Sequence, residues 1–190
     1  MNRFFTKISA LVLLGAIAGV QGVSASDTTP IPGKAAHLKR LEEDSSNLLS
    51  QNGIDLATGE TYRLTFWAKA SHPLVLRVLT KMDQPPWKGF QAKTVEVDTE
   101  WHQQEIALDA TGTVPGHTRL EIRFGGPEVG EAWIADVRLR KEGDEEESGN
   151  LLMNSRFEEG EGGLAHWYIE GLKPGVFEVE AVAPETDGQP

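Results

Sequence analysis

Residues 61–70, TYRLTFWAKA, constrain the fold of this chain more than any other stretch. Tyr62, Leu64, Phe66 and Ala68 alternate with Arg63, Thr65, Trp67 and Lys69. A period of two puts the first set on one side of an extended backbone and the second on the other, so a strand with one apolar face is predicted. Such a strand is stable only inside a sheet whose apolar face is covered by a second layer. The next segments supply partners. Residues 74–81 (LVLRVLTK) are rich in branched side chains, and 93–97, 101–108, 118–124 and 131–140 follow as further short strands. Between them lie turn-forming stretches: Gly59-Glu60, the double-proline loop 82–89, the connections 109–116 and 125–130. Short strands spaced about ten residues apart, with no helical stripe alternating between them, exclude a parallel α/β sheet. They predict an all-β fold, an antiparallel β-sandwich or barrel.

The two ends read differently. Arg3 and Lys7 precede an apolar run over 8–20, and Val23-Ser24-Ala25 offers small residues for a peptidase. Residues 1–25 are therefore expected to be a signal peptide cut after Ala25, because the apolar run is short for a hydrocarbon layer of about 30 Å. Localisation is expected to be secreted or periplasmic, without membrane insertion after cleavage. Residues 26–46 are expected to be a linker or a short helix over 35–44, and residues 183–190 a disordered tail. The run 141–149 (KEGDEEESG) is expected to be a solvated acidic linker or loop.

Composition narrows the function classes. The formal net charge is −11 and the basic residues are scattered, which argues against nucleic acid, since a phosphate backbone demands clustered Lys and Arg. A neutral polysaccharide carries no such penalty. The chain has no cysteine, so neither disulfides nor thiol chemistry are available. The five histidines form no His-x-x-x-His pair, and neither the G-x-S-x-G elbow nor a phosphate-binding loop occurs. No catalytic residue is assigned, and the chain is expected not to be an enzyme.

Asn47-Leu48-Leu49, followed by Gly59-Glu60-Thr61-Tyr62-Arg63-Leu64-Thr65-Phe66-Trp67-Ala68-Lys69-Ala70, resembles the CenC-like carbohydrate-binding modules of families 4 and 9, in which such a strand leads into the sandwich. Glu100-Trp101-His102-Gln103-Gln104 and Ala132-Trp133-Ile134-Ala135-Asp136-Val137-Arg138-Leu139 resemble later strands in the expected order. The resemblance covers 47–140. It implies a galactose-binding-like jelly roll that holds a polysaccharide or oligosaccharide by stacking aromatic rings on sugars, often beside a structural calcium. One departure is conspicuous. The opening motif of the family, N-L-x-x-N-x-x-F-E-x-G, stands at Asn150-Leu151-Leu152-Met153-Asn154-Ser155-Arg156-Phe157-Glu158-Glu159-Gly160, after the closing strand. Either a truncated second module begins at 150, or residues 150–182 fold back and complete the sandwich of 47–140, in effect a circular permutation. A dimer exchanging that segment is a variant of the second arrangement.

The ligand-binding candidates are Trp67 on the polar face of its strand, Trp87 in the proline-held loop, and Lys88, Gln91 and Arg63 as hydroxyl partners. Trp101 is expected in the core, and Trp133 packed in phase with Ala135, Val137 and Leu139. Glu158 and Asp136 are the carboxylates that the resemblance implies for calcium, although Ala135 stands where the family often has another Asp. Two other functions compete with glycan binding: a structural or adhesion module contacting an envelope or partner protein, and a remnant of a multidomain glycoside hydrolase.

Overall fold

A computed structural model describes residues 31–43, 48–144, 149–170 and 177–184. The expected signal peptide, the parts of the expected linker at 26–30 and 44–46, the centre of the acidic run at 145–148, residues 171–176 and the last residues of the tail lie outside these. Among the described residues ten strands form two five-stranded antiparallel sheets. The strands are β1 Ala35–Arg40, β2 Leu48–Ile54, β3 Thr61–Ala70, β4 Leu74–Met82, β5 Gly89–Val97, β6 His102–Asp109, β7 Thr118–Phe124, β8 Gly130–Lys141, β9 Tyr168–Glu170 and β10 Phe177–Val182. The front sheet has the order β10-β1-β8-β3-β6 and the back sheet β5-β4-β7-β2-β9. The fold is an all-β, antiparallel β-sandwich, one of the two forms the strand spacing predicted, and of the jelly-roll type that the family resemblance implied.

The alternation in β3 places the core. Tyr62, Leu64, Phe66 and Ala68 are buried, and they meet Leu74, Leu76 and Val78 of β4 and Leu120 and Ile122 of β7 from the back sheet. Burial at roughly 25 cal/mol per Å² of apolar surface makes this interior the main favourable term in folding.

Residues 35–40 correct the expectation of a linker or short helix. They form β1, hydrogen-bonded between β8 and β10. Ala36 and Leu38 face the core, and Ala35, His37 and Lys39 alternate with them. The helical propensity of an Ala- and Leu-bearing stretch is a fraction of a kcal/mol per residue. Two flanking strands outweigh it.

The segment after 149 joins both sheets. β9 pairs with β2 through Leu49↔Ile169, and β10 pairs with β1 through Leu38↔Val179. Leu152, Phe157 and Trp167 lie in the same core cluster as Phe66 and Leu76. The motif residues of this segment have distinct tasks. Asn150 Oδ1 accepts from the N–H groups of Leu139 (3.0 Å) and Leu152 (3.2 Å), which docks the segment on β8. Asn154 organises the loop behind it: Oδ1 accepts from Glu158 N and Glu159 N, and Nδ2 donates to the carbonyls of Gly163 and Ala165. The Trp167 indole N–H returns to the Asn154 carbonyl at 3.1 Å, and its ring meets Phe157 at 5.2 Å between centroids. Gly160 closes the motif at φ 80°, where a Cβ would fall 2.6 Å from that of Ala165.

The phase of β8 breaks at Asp136, which has φ 46° and sits in a bulge of the β3–β8 ladder. Before the bulge Ala132 and Ile134 face the core; after it Val137 and Leu139 do. Trp133 and Ala135 therefore face outward, which corrects the expectation that Trp133 packs in phase with Val137 and Leu139. Trp101 is likewise on the outer side, half-buried against the Ala35–Ala135 cluster rather than in the core.

Candidate functional site

The outward face of the front sheet is built row by row from cross-strand partners. One row runs Val182, Ala35, Ala135, Trp67, Gln103. Ala35 and Ala135 are fully buried there, because Ile31 and the half-buried rings of Trp67, Trp101 and Trp133 cover them. Small residues in mid-sheet leave room for those rings to lie against the backbone. The adjacent row runs Glu180, His37, Trp133, Lys69. His37 stacks on Trp133 at 4.3 Å, and the Lys69 ammonium lies 5.3 Å from the Trp133 ring and 5.5 Å from that of Trp101. His37 also contacts the carboxylates of Glu131 (2.7 Å) and Glu180 (3.2 Å), which joins β8, β1 and β10.

Beyond the Trp67 row the face becomes a polar cleft of about 360 Å³, lined among others by Arg63, Thr65, Gln103, Glu105, Arg138 and Arg140. Arg63 and Arg140 are register partners across β3 and β8. Arg63 is held by Glu105 at 3.4 Å and Glu142 at 3.5 Å. At the rim Lys141 meets Glu60 at 2.9 Å, and that hydrogen bond holds the exposed ammonium pKa above its ordinary value. The arrangement can do two things chemically. Indole surfaces lie beside a cleft with amide, hydroxyl and guanidinium donors, a pairing of apolar and polar recognition suited to a hydroxylated ring.

The structure brings together only some of the residues singled out from the sequence. Trp67 and Arg63 lie on this face. Trp87 does not: it is 52% exposed in the β4–β5 loop, at the far end of β4 from the turn that follows Trp67, and on the back sheet. Lys88 is exposed beside it, and Gln91 lies on edge strand β5, where its Oε1 accepts from Asp109 N at 3.2 Å. Reasoning from sequence missed Lys69, Gln103, Arg138, Arg140 and His37. The outward phase of β3 was enough to find Lys69. Arg138 and Arg140 required the bulge, and His37 required β1.

Of the two carboxylates named for calcium, Asp136 is turned to arginine. Both oxygens of Asp136 face the Arg138 guanidinium at 2.8 Å, with Arg156 3.8 Å from one of them. Two guanidinium groups oppose a divalent cation at the same place. Among the described residues no group of three or more His, Asp or Glu is arranged to hold a metal ion.

No family model matches the chain, and no curated protein matches it. Solved structures do. PbXyn10C CBM in its apo form aligns with a TM-score of 0.58 at 20% identity, covering 85% of this chain and 94% of that one. The N-terminal cellulose-binding domain of β-1,4-glucanase C from Cellulomonas fimi aligns at 0.46 and 18% identity over 60% of this chain and 91% of its own. The CBM22-1 xylan-binding domain from Paenibacillus barcinonensis Xyn10C aligns at 0.43 and 12% identity, over 55% of this chain and 70% of its own. The last two are too distant to carry an argument. The first establishes the architecture, so this chain has the β-sandwich fold of a carbohydrate-binding module.

Proposed function

We propose that this protein is an exported, non-catalytic glycan-binding module of CenC-like type, and that its ligand lies on the front face against Trp67. The observation that supports this reading most is one cross-strand pair. Trp67 rests half-buried beside Ala135, and its partner Gln103 lines the polar cleft. An apolar platform thus passes directly into hydrogen-bonding groups, which is what a sugar with one C–H face and a rim of hydroxyls requires. The reading assigns no bond-breaking step, for the carboxylates of Glu105 and Glu142 serve as partners of Arg63. Titrating the purified protein with soluble β-glucans, xylans and mannans while following tryptophan fluorescence tests it. Saturable quenching by one class, abolished in Trp67→Ala, is expected. A flat response from a folded protein would overturn it.

Trp87 favours a second reading, contact with a partner protein, because a large indole stands exposed at a loop tip away from the cleft. Binding that survives Trp67→Ala and disappears in Trp87→Ala would shift the site there.

A further inference from the structure

The guanidinium groups of the front cleft are unevenly paired, although its lining also includes Glu105, Glu142 and Asp144. Three guanidinium groups line it, on neighbouring strands, and two of them are answered. Arg63 has Glu105 and Glu142, and Arg138 has Asp136. Arg140 has no carboxylate or hydrogen-bond partner among the described residues, and its Nε is shut off from solvent with no acceptor. It also stands directly across the ladder from Arg63, a like-charge pair that a sheet disfavours. Deprotonation offers no relief, because a guanidinium keeps its charge in proteins. Water alone satisfies such a group poorly when part of it is buried, and this raises the worth of an oxyanion arriving at the rest of it.

We propose that the ligand of this face carries an oxyanion, a uronate carboxylate or a sulfate ester, and that Arg140 receives it. The inference rests on the glycan reading above and sharpens it from neutral polysaccharide to acidic. Planar, two-oxygen groups match the fork of a guanidinium, so Arg140 is suited to either. Geometry links it to the platform. Trp67 and Arg63 are four residues apart on β3, roughly 13 Å at strand spacing, and Arg140 is the partner of Arg63. A glycan chain stacked on Trp67 and running along β3 would bring a unit farther along the same chain over Arg140. The net charge of −11 opposes a polyanion at long range, but at physiological salt that field fades over about 8 Å and the contact is decided locally.

The test compares matched pairs of polymers: neutral xylan against glucuronoxylan, and unsulfated against sulfated galactan. The wild-type protein should bind one acidic member roughly tenfold to a hundredfold more tightly than its neutral partner. Which pair shows the preference separates carboxylate from sulfate. In Arg140→Gln the ratio should fall close to one. Equal affinities in both pairs, or a preference that survives in Arg140→Gln, would overturn the inference. A second measurement keeps the two readings apart. Nitrogen-15 spectra of the arginine side chains should show the Arg140 Nε resonance move on adding glucuronate or sulfate ion but not glucose. If no polymer binds and that resonance still moves, the glycan reading fails and the anion site stands. If it stays put with every anion, the anion site fails whatever the polymers do.

Discussion

The two outward faces of the sandwich come from the same alternating pattern, yet the Arg119–Glu121 row of the back and the cleft of the front pair their charges differently. On the back sheet Arg119 and Glu121 of β7 are almost fully buried, at 3% and 1% exposure. Glu121 meets Arg119 at 3.1 Å and Lys81 on β4. Arg119 Nη2 donates to Ser50 Oγ at 2.9 Å, and that hydroxyl donates to the Tyr168 carbonyl. The chain of contacts crosses β4, β7, β2 and β9 and fastens the C-terminal segment to the sheet. The front face has arginines too, but they line an open cleft beside tryptophans resting on Ala35 and Ala135. Along the Arg119–Glu121 row of the back sheet the polar residues close on each other; in the front cleft Arg140 is left without such a partner among the described residues. The residue types alone do not distinguish the two. What distinguishes them is which side chain stands opposite which.

The comparison can be broken first on the back. Glu121→Ala leaves Arg119 buried beside a lost carboxylate, and removing one member of a buried ion pair typically costs about 3–5 kcal/mol. Urea unfolding should show a loss of that order, whereas glycan affinity of the folded fraction stays at the wild-type value. A near-neutral result would mean that the back ladder is surface charge of little weight.

The front face predicts the reverse pattern. Trp67→Ala should weaken glycan binding by at least about tenfold, equivalent to about 1.4 kcal/mol. Because Trp67 is only half-buried, the loss of stability should be smaller than for Glu121→Ala. Trp87→Ala is the sharper control. Its side chain is exposed on a loop, so stability should change by no more than about 0.5 kcal/mol and affinity not at all. Isothermal titration and melting of both variants check these together. Equal losses of affinity in the two variants would show that the front face is not a separate site.

Much of this architecture was legible in the sequence, for definite reasons. In β3 the period of two is unbroken, so Trp67 and Arg63 could be assigned to the outer side before any coordinates. The motif at Asn150–Gly160 was legible because Asn150, Asn154, Phe157 and Gly160 each do something no other residue does as well there. Other features are set by distant pairing and leave little local trace. β1 looks like a helix or linker until β8 and β10 flank it. The bulge at Asp136 reverses the phase of β8, which sent Trp133 to the wrong side in a simple alternating count. The separation of Trp87 from Trp67 depends on β4 running the length of the back sheet away from the β3–β4 turn. Arg140 carries no mark of its own in the sequence. What marks it in the structure is its buried, unsatisfied Nε, set across the ladder from Arg63 without an ion-pair partner among the described residues.

The smallest expected effect concerns the edge where β10 closes the front sheet. Glu180 on β10 has its carboxyl pKa lowered below the ordinary 4.5, first by its hydrogen bond to Lys39 and then by the charges of Lys39 and His37. A carboxylate with a depressed folded value favours the folded state above its unfolded value of 4.5, and that contribution fades as pH falls through the folded value. The contact is half exposed, so solvent screens it and the effect on global stability is slight. It should show locally instead. Amide exchange at Leu38 and Val179, paired across β1 and β10, should quicken relative to Leu64 of β3 as pH is lowered below 4.5, after correction for intrinsic rates. Glu180→Gln should flatten that difference, while protection of the back-sheet pair Leu49 and Ile169 stays as in wild type. Acid loosening of both pairs to the same extent would mean that the edge opens only with the whole sandwich, and that the front and back faces share one stability after all.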